Sequence, residues 1–289
     1  MRVADLGDKW FYVYQRCLEL YDVKRAIQIA HFYKPKKLYK YFSFDNYWID
    51  NLKNGTIVFN SAYNFNDPLD SRWALDYEYI LKSRFIDSGE DTDFVDEYIN
   101  DVGKKSFITL YEEDLLYLHD LYKISCFSET PCSNLMWGHY ADKHKGFCLE
   151  YDVEKLTKKL NLLLPVVYTE KPFDASDILD MRGINDKFAA ICPALFKSKD
   201  WSYEKEWRII RFNREDEIEL YNAPNAVTGV FLGFKTFSSD VCAEVDKLEK
   251  IADEMNIAVY RMERSYLSYD LVYSLISDIK NGNGKGFII

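Results

Sequence analysis

In Trp201-Ser202-Tyr203-Glu204-Lys205-Glu206-Trp207-Arg208-Ile209-Ile210-Arg211, two carboxylates and a guanidinium occupy alternate positions. A strand's two-residue period puts Glu204, Glu206 and Arg208 on one face and Trp201, Tyr203, Lys205, Trp207 and Ile209 on the other. Two carboxylates on one face repel unless solvent or a cation stabilises them, and Arg208 is such a cation. The set is either an exposed, ion-paired sheet edge or a carboxylate pair that serves a site.

A second concentration lies between Lys123 and Asp152, where Trp137, His139, Tyr140, Asp142 and His144 crowd together. Imidazole titrates near neutral pH, which makes His139 a candidate general acid–base and Asp142 a partner for a hydrolytic reading. The alternative is a buried histidine satisfied between Trp137 and Tyr140. His139 and His144 stand five apart, which points their rings away from each other on a helix, so no metal site is expected. There is no Gly-x-Ser-x-Gly elbow, and Cys126 and Cys148 sit in apolar strand contexts, so a covalent nucleophile has little support. Gly233 stands outside any GxGxxG or P-loop pattern. A third polar group, Asn64-Phe65-Asn66-Asp67-Pro68-Leu69-Asp70, is rich in turn formers. It reads as a structural loop, or as a rim whose Asn66, Asp67 and Asp70 face a cleft.

The elements that must position these groups are short. Apolar spacing of three and four predicts an amphipathic helix over residues 9 to 32, bent near Asp22-Val23, packing outside the sheet or meeting a second copy. Leu38–Phe42 reads as a strand. Asp45 caps a helix over Asn46 to Lys53, and Asn54-Gly55 supplies its left-handed stop. Thr56–Ser61 is the next strand. Strands are also expected over Lys123–Phe127, Gly146–Tyr151 and Leu163–Thr169. Ala175 to Lys197 reads as a helix interrupted at Gly183 and Pro193. Val227–Leu232, a helix over Ser239 to Met255 and Ile257–Met262 form a strand–helix–strand unit. Many short aromatic strands without a regular βαβ rhythm predict an α+β fold: a mixed, mostly antiparallel sheet with flanking helices and an accessory N-terminal helix. The expected division is an N-terminal helical extension over 1–33, a single α+β domain over 34–280 with a helical insertion at about 80–122, and a flexible tail over 281–289.

Composition limits the classes. The 289 residues are 48% hydrophobic and 17% aromatic, which excludes disorder for most of the chain. No window of about 18 uninterrupted apolar residues exists, so no membrane span is expected. Charges near the N-terminus and six scattered cysteines without a CxxC pair predict a cytoplasmic protein with reduced thiols. A net charge of −10 argues against nucleic acid as a partner, although a local basic groove could still occur.

The joint pattern of Leu38–Phe42, Asn66-Asp67-Pro68-Leu69-Asp70, Cys126-Phe127-Ser128, Met136 to Asp142 with His144-Lys145-Gly146, and Trp201 to Arg208 resembles the bacterial domain-of-unknown-function family 2971. The resemblance runs from about Leu38 to Tyr260 and carries no activity. A second resemblance is to ADP-ribosyltransferases, which grip NAD between two strands and set a glutamate, often the second of a Glu-x-Glu pair, against the nicotinamide ribose. It implies Tyr39 or Tyr41, then Ser61, then Glu204 and Glu206, with Glu206 as the catalytic carboxylate supporting an oxocarbenium-like transition state. The first position lacks the family's usual His or Arg. This resemblance implies NAD as substrate, with no permanently bound cofactor, and chemistry of the kind found in toxin and phage-defence proteins. Asn66, Asp67, Trp137, Tyr140 and Arg208 complete the expected ligand-binding set around Glu206 and His139. The alternative is a non-catalytic module that binds a nucleotide or a protein.

Overall fold

Strand pairing around Tyr122–Ser128 organises the chain, and it does so by dividing one edge of that strand between two neighbours. The structure, a computed structural model, describes residues 2–76, 78–80, 82, 96–97, 109, 113, 120–159, 162–176, 189–213, 218–238 and 241–277. The expected insertion at about 80–122 and the tail at 281–289 lie largely outside these residues.

Two helices, α1 (Trp10–Glu19) and α2 (Val23–Tyr33), come first. The single bent helix expected over 9 to 32 is broken because Tyr21 takes a positive φ of 57° and Asp22 caps α2 by accepting from the Arg25 N–H. Tyr14, Leu18, Ala26, Ile29 and Ala30 are buried and join the main core. Then follow β1 (Lys37–Phe42), α3 (Asn46–Asn54), β2 (Thr56–Asn60), β3 (Trp73–Ala74) and β4 (Tyr122–Ser128). As the sequence predicts, Asp45 accepts from the Tyr47 N–H at the start of α3, and Gly55 ends it at φ 64°. Helix α4 (Asn134–Tyr140), capped by Ser133, leads into β5 (Phe147–Asp152).

The expected strand over Leu163–Thr169 is two strands, β6 (Leu163–Pro165) and β7 (Val167–Thr169), with separate partners. After β8 (Phe173–Asp174), the described end of the expected helix over 175–197 is instead a 3-10 turn, Pro193–Leu195, and β9 (Phe196–Ser198). Pro193, which cannot sit inside a regular helix, opens that turn. The segment from Trp201 is corrected as well. Lys199–Glu204 is 3-10 helix, Lys205 is left-handed at φ 46°, and β10 begins only at Glu206 and runs to Phe212. The chain continues through β11 (Ile218–Asn222), β12 (Val227–Leu232), α5 (Cys242–Glu254), β13 (Ala258–Arg264) and β14 (Leu271–Leu275). No side chain caps α5, which starts later than Ser239.

Among the described residues ten strands form one sheet, in which only β12 and β13 run parallel. The α+β class, the mostly antiparallel sheet and the flanking helices agree with the sequence. Leu38 and Phe42 of β1 join the main core on one face, whereas Tyr39 and Tyr41 join a second cluster with Trp137, Phe231 and Met262.

β4 pairs with β10 along its whole length, from Glu206 opposite Ser128 to Phe212 opposite Tyr122. Its other edge is shared: Ser128 pairs with Tyr39 of β1, and Ile124 pairs with Asn60 of β2. β1 and β2 therefore part from each other beside β4. In the gap Lys40 replaces the missing ladder donor, giving hydrogen bonds to the Cys126 carbonyl at 2.9 Å and the Ser125 Oγ at 3.1 Å.

Candidate functional site

A cavity of about 270 Å³ occupies this gap. Its walls come from Tyr39 and Tyr41 on one face of β1 and Lys40 on the other, from Val58 and Asn60 of β2, and from Ile124, Cys126 and Phe127 of β4. Asn64, Phe65 and Asn66 close it from the loop, and Met136 and Tyr140 from α4. Its charged end is built by Asp70, Lys197, Glu204, Glu206 and Arg208, all of them buried.

Arg208 organises that end. Its Nε donates to Glu206 Oε1 at 2.8 Å and its Nη2 to Glu206 Oε2 at 3.0 Å. A second fork reaches Asp70, with Nη1 to Oδ1 at 2.8 Å and Nη2 to Oδ2 at 2.7 Å, while Nη1 also donates to the Ala194 carbonyl at 2.8 Å. Lys197 Nζ binds Glu204 Oε2 at 2.6 Å, Asp70 Oδ2 at 3.2 Å and Glu206 Oε2 at 3.3 Å. Tyr140 donates its hydroxyl to Glu204 Oε1 at 2.7 Å, and Asn66 Nδ2 donates to the Tyr140 oxygen at 3.4 Å. The left-handed turn at Lys205 brings Glu204 and Glu206 to the same cation, Lys197, without a continuous strand. Ser128 locks that turn by donating to the Glu204 carbonyl at 2.7 Å.

The three carboxylates do not behave alike. Burial pushes the Glu206 carboxyl up, but Arg208 and Lys197 overcome this and hold it well below the usual carboxylate range. Asp70 is also lowered, because Arg208 outweighs its burial. Glu204 is raised, first by burial and then by the charge of Glu206, with Lys197 and Tyr140 offsetting part. Lys197 stays charged: burial lowers it, and Glu206 and Asp70 raise it further. With all five groups ionised, three acids face two bases, and one negative charge is left over.

Of the residues singled out in the sequence, Tyr39, Tyr41, Asn66, Tyr140, Glu204, Glu206 and Arg208 line this one cavity. Ser61 lies outside the lining, with its Oγ accepting from the Tyr63 N–H. Asp67 turns its carboxylate back to the Leu69 N–H at 2.8 Å. Trp137 is fully buried, donates to the Pro131 carbonyl at 2.7 Å and packs edge-on against Tyr41 at 5.2 Å, so it supports the wall from behind. His139 is exposed and leans on Trp201 and Tyr203, with ring centroids at 6.3 Å and 6.1 Å. It is neither buried between Trp137 and Tyr140 nor part of the cavity lining. Among the described residues no three His, Cys, Asp or Glu side chains converge as metal ligands would.

Lys40 and Lys197 were not singled out. Lys40 stands alone in the otherwise apolar run Leu38–Phe42, and that isolation is the signal that could have found it. Lys197 follows the apolar Ala194–Phe196 but is itself followed by Ser198, Lys199 and Asp200, so nothing in its neighbourhood sets it apart.

Residues 136–209 match a family described as a protein of unknown function (DUF2971). The matched stretch holds Tyr140, Lys197, Glu204, Glu206 and Arg208, the larger part of the charged end. No curated protein and no solved structure matches the chain.

Proposed function

We propose that the cavity takes the nicotinamide–ribose end of NAD and that the protein cleaves or transfers at its N-glycosidic bond. The observation that carries this reading is Glu204: a buried carboxylate on the wall of a cavity that also holds aromatic rings, in a cluster with an excess negative charge. Departure of nicotinamide leaves positive charge on the anomeric carbon, and a carboxylate placed before the reaction stabilises it. Flat rings such as Tyr41 and Phe65 suit a planar leaving group. Arg208 grips Glu206 through both oxygens and Lys197 adds a third donor, whereas each Glu204 oxygen accepts a single hydrogen bond, from Tyr140 and from Lys197. The reading therefore gives Glu204 the role facing the substrate, and makes Glu206 a positioning residue that holds Lys197 and raises Glu204.

Turnover of a fluorescent etheno-NAD analogue tests this. Glu204→Gln should lower turnover about 100- to 1,000-fold, the usual cost of one well-placed electrostatic group. NAD and ADP-ribose should also raise the melting temperature, because they bind only the folded chain. An inert wild type with no NAD-dependent shift overturns the reading.

A second reading, a non-catalytic binding module for a nucleotide or a protein segment, draws on the saturation of Arg208, Lys197 and Glu206 by one another. It requires a ligand-induced rise in melting temperature without turnover. Under either reading we place the protein in the cytoplasm, in keeping with six free cysteines. A toxin or phage-defence role would follow from NAD consumption, and loss of cellular NAD on expression is its measure. No helix among the described residues is long and apolar enough to cross a membrane.

A further inference from the structure

Lys40 carries the inference that goes furthest beyond this reading. Lys40 lines the cavity, and its Nζ stands 5.1 Å from the centroid of the ring of Phe127, another lining residue. Its protein acceptors are the Ser125 hydroxyl and the Cys126 carbonyl, both neutral. Among the described residues no carboxylate lies within ion-pair distance of it. Glu206, the nearby acid, spends its oxygens on Arg208 and Lys197. An ammonium has three N–H donors and here meets two acceptors. A neutral amine has two N–H donors and a lone pair, so it satisfies both acceptors and leaves the lone pair for the cavity. Burial lowers the Lys40 ammonium below its ordinary value, with Cys126 and Glu206 opposing only part of that.

We propose that Lys40 is a nucleophilic amine that captures the carbonyl group of a small, planar aldehyde or ketone bound in this cavity as an imine. The nitrogen lone pair adds to the carbonyl carbon and gives a carbinolamine. The carbinolamine hydroxyl then takes a proton and leaves as water, the nitrogen gives up its second hydrogen, and a carbon–nitrogen double bond remains. One carbonyl compound and one amine become one imine and one water, with no change of oxidation state. Desolvation in an apolar pocket is the general way a lysine becomes reactive at neutral pH. The aromatic walls favour a flat molecule, and Asn60, Asn64 and Asn66 offer amides to its polar edge. The proposal uses the same cavity as the NAD reading but does not depend on it.

Pyridine-3-carbaldehyde is a suitable probe, used with sodium cyanoborohydride to reduce any imine to a stable amine. The intact protein is treated at pH 7.5 and digested, and modification of each lysine is followed by mass spectrometry over time. Lys40 should be modified faster than the exposed Lys53, because burial lowers the Lys40 ammonium and so raises the share of its amine that is neutral and reactive. Its rate should also level off at a lower pH than that of a free lysine amine. Modification of Lys40 no faster than Lys53, or none at all, overturns the proposal. The wild-type chain is sufficient, so a variant that fails to fold cannot obscure the result. NAD turnover is scored separately, and its absence leaves this result unaffected.

Discussion

Arg208, Lys197, Asp70, Glu204 and Glu206 form one unit, and the value of each side chain depends on what the others leave unpaired. Taking Glu206 away from Arg208 and Lys197 leaves two buried cations facing only Asp70 and Glu204. Hydrogen bonds to charged groups are worth about 1.5–3 kcal/mol each, and the amide of Glu206→Gln turns a donor toward cations where an acceptor stood, so this change should lower the denaturant midpoint. Glu204→Gln should cost much less, because burial and the charge of Glu206 already disfavour its ionised form. Urea unfolding of both variants checks the difference. Equal, small losses would mean that Glu206 is not the member that holds the cluster.

At the scale of elements, the cavity exists because β1 and β2 share one edge of β4 without meeting each other. The position of β1 depends on close approach of the chain at the start of β5. A Cβ on Gly146 would meet the Phe42 carbonyl oxygen at 2.1 Å, and one on Gly233 would meet the His144 carbonyl oxygen at 2.1 Å. Backbone cannot give way as a flexible side chain does. Gly146→Ala should therefore cost roughly 1–3 kcal/mol or more and shift β1, which carries Tyr39, Lys40 and Tyr41. The expected outcome is a lowered melting temperature together with weaker ligand binding. Ala at Gly138 is the control, because its added Cβ has no atom within 4 Å.

For the whole molecule, the charged cluster predicts how stability depends on pH. Asp70 and Glu206 are lowered in the folded chain, so the unfolded chain binds more protons as acid is added. Their contribution is complete above their unfolded values, about 3.9 and 4.3, and is lost as pH falls toward their folded values. Glu204 is raised and has the opposite sign: its ionised form costs stability, and protonation above its unfolded value relieves that cost. The melting temperature should fall steeply below about pH 4, and the Glu206→Gln variant should show a shallower acid limb. The N-terminal pair α1 and α2 exposes Tyr12, Leu20 and Phe32. If these residues meet a second copy, as proposed from the sequence, sedimentation should show a concentration-dependent dimer, and Phe32→Glu should abolish it.

What the amino-acid sequence determined by itself is local. The Asp45 cap, the left-handed Gly55 and the strands over Leu38–Phe42, Thr56–Asn60 and Val227–Leu232 follow from side chains acting on their own backbone within a few residues. The Glu204-Lys205-Glu206 pair with Arg208 also stood out, because three charged groups with one period are rare in an apolar stretch. The period itself misled, since Lys205 takes a left-handed turn that the 3-10 helix before it and Ser128 across from it impose. Tertiary structure alone decided that Arg208 would fork onto Asp70, 138 residues away, and that Lys197 would join them. It also turned His139 out to solvent, and it opened the gap beside β4 in which Lys40 stands. Those outcomes depend on which strands share an edge, and strand pairing is set by the burial of whole faces rather than by neighbours in the chain.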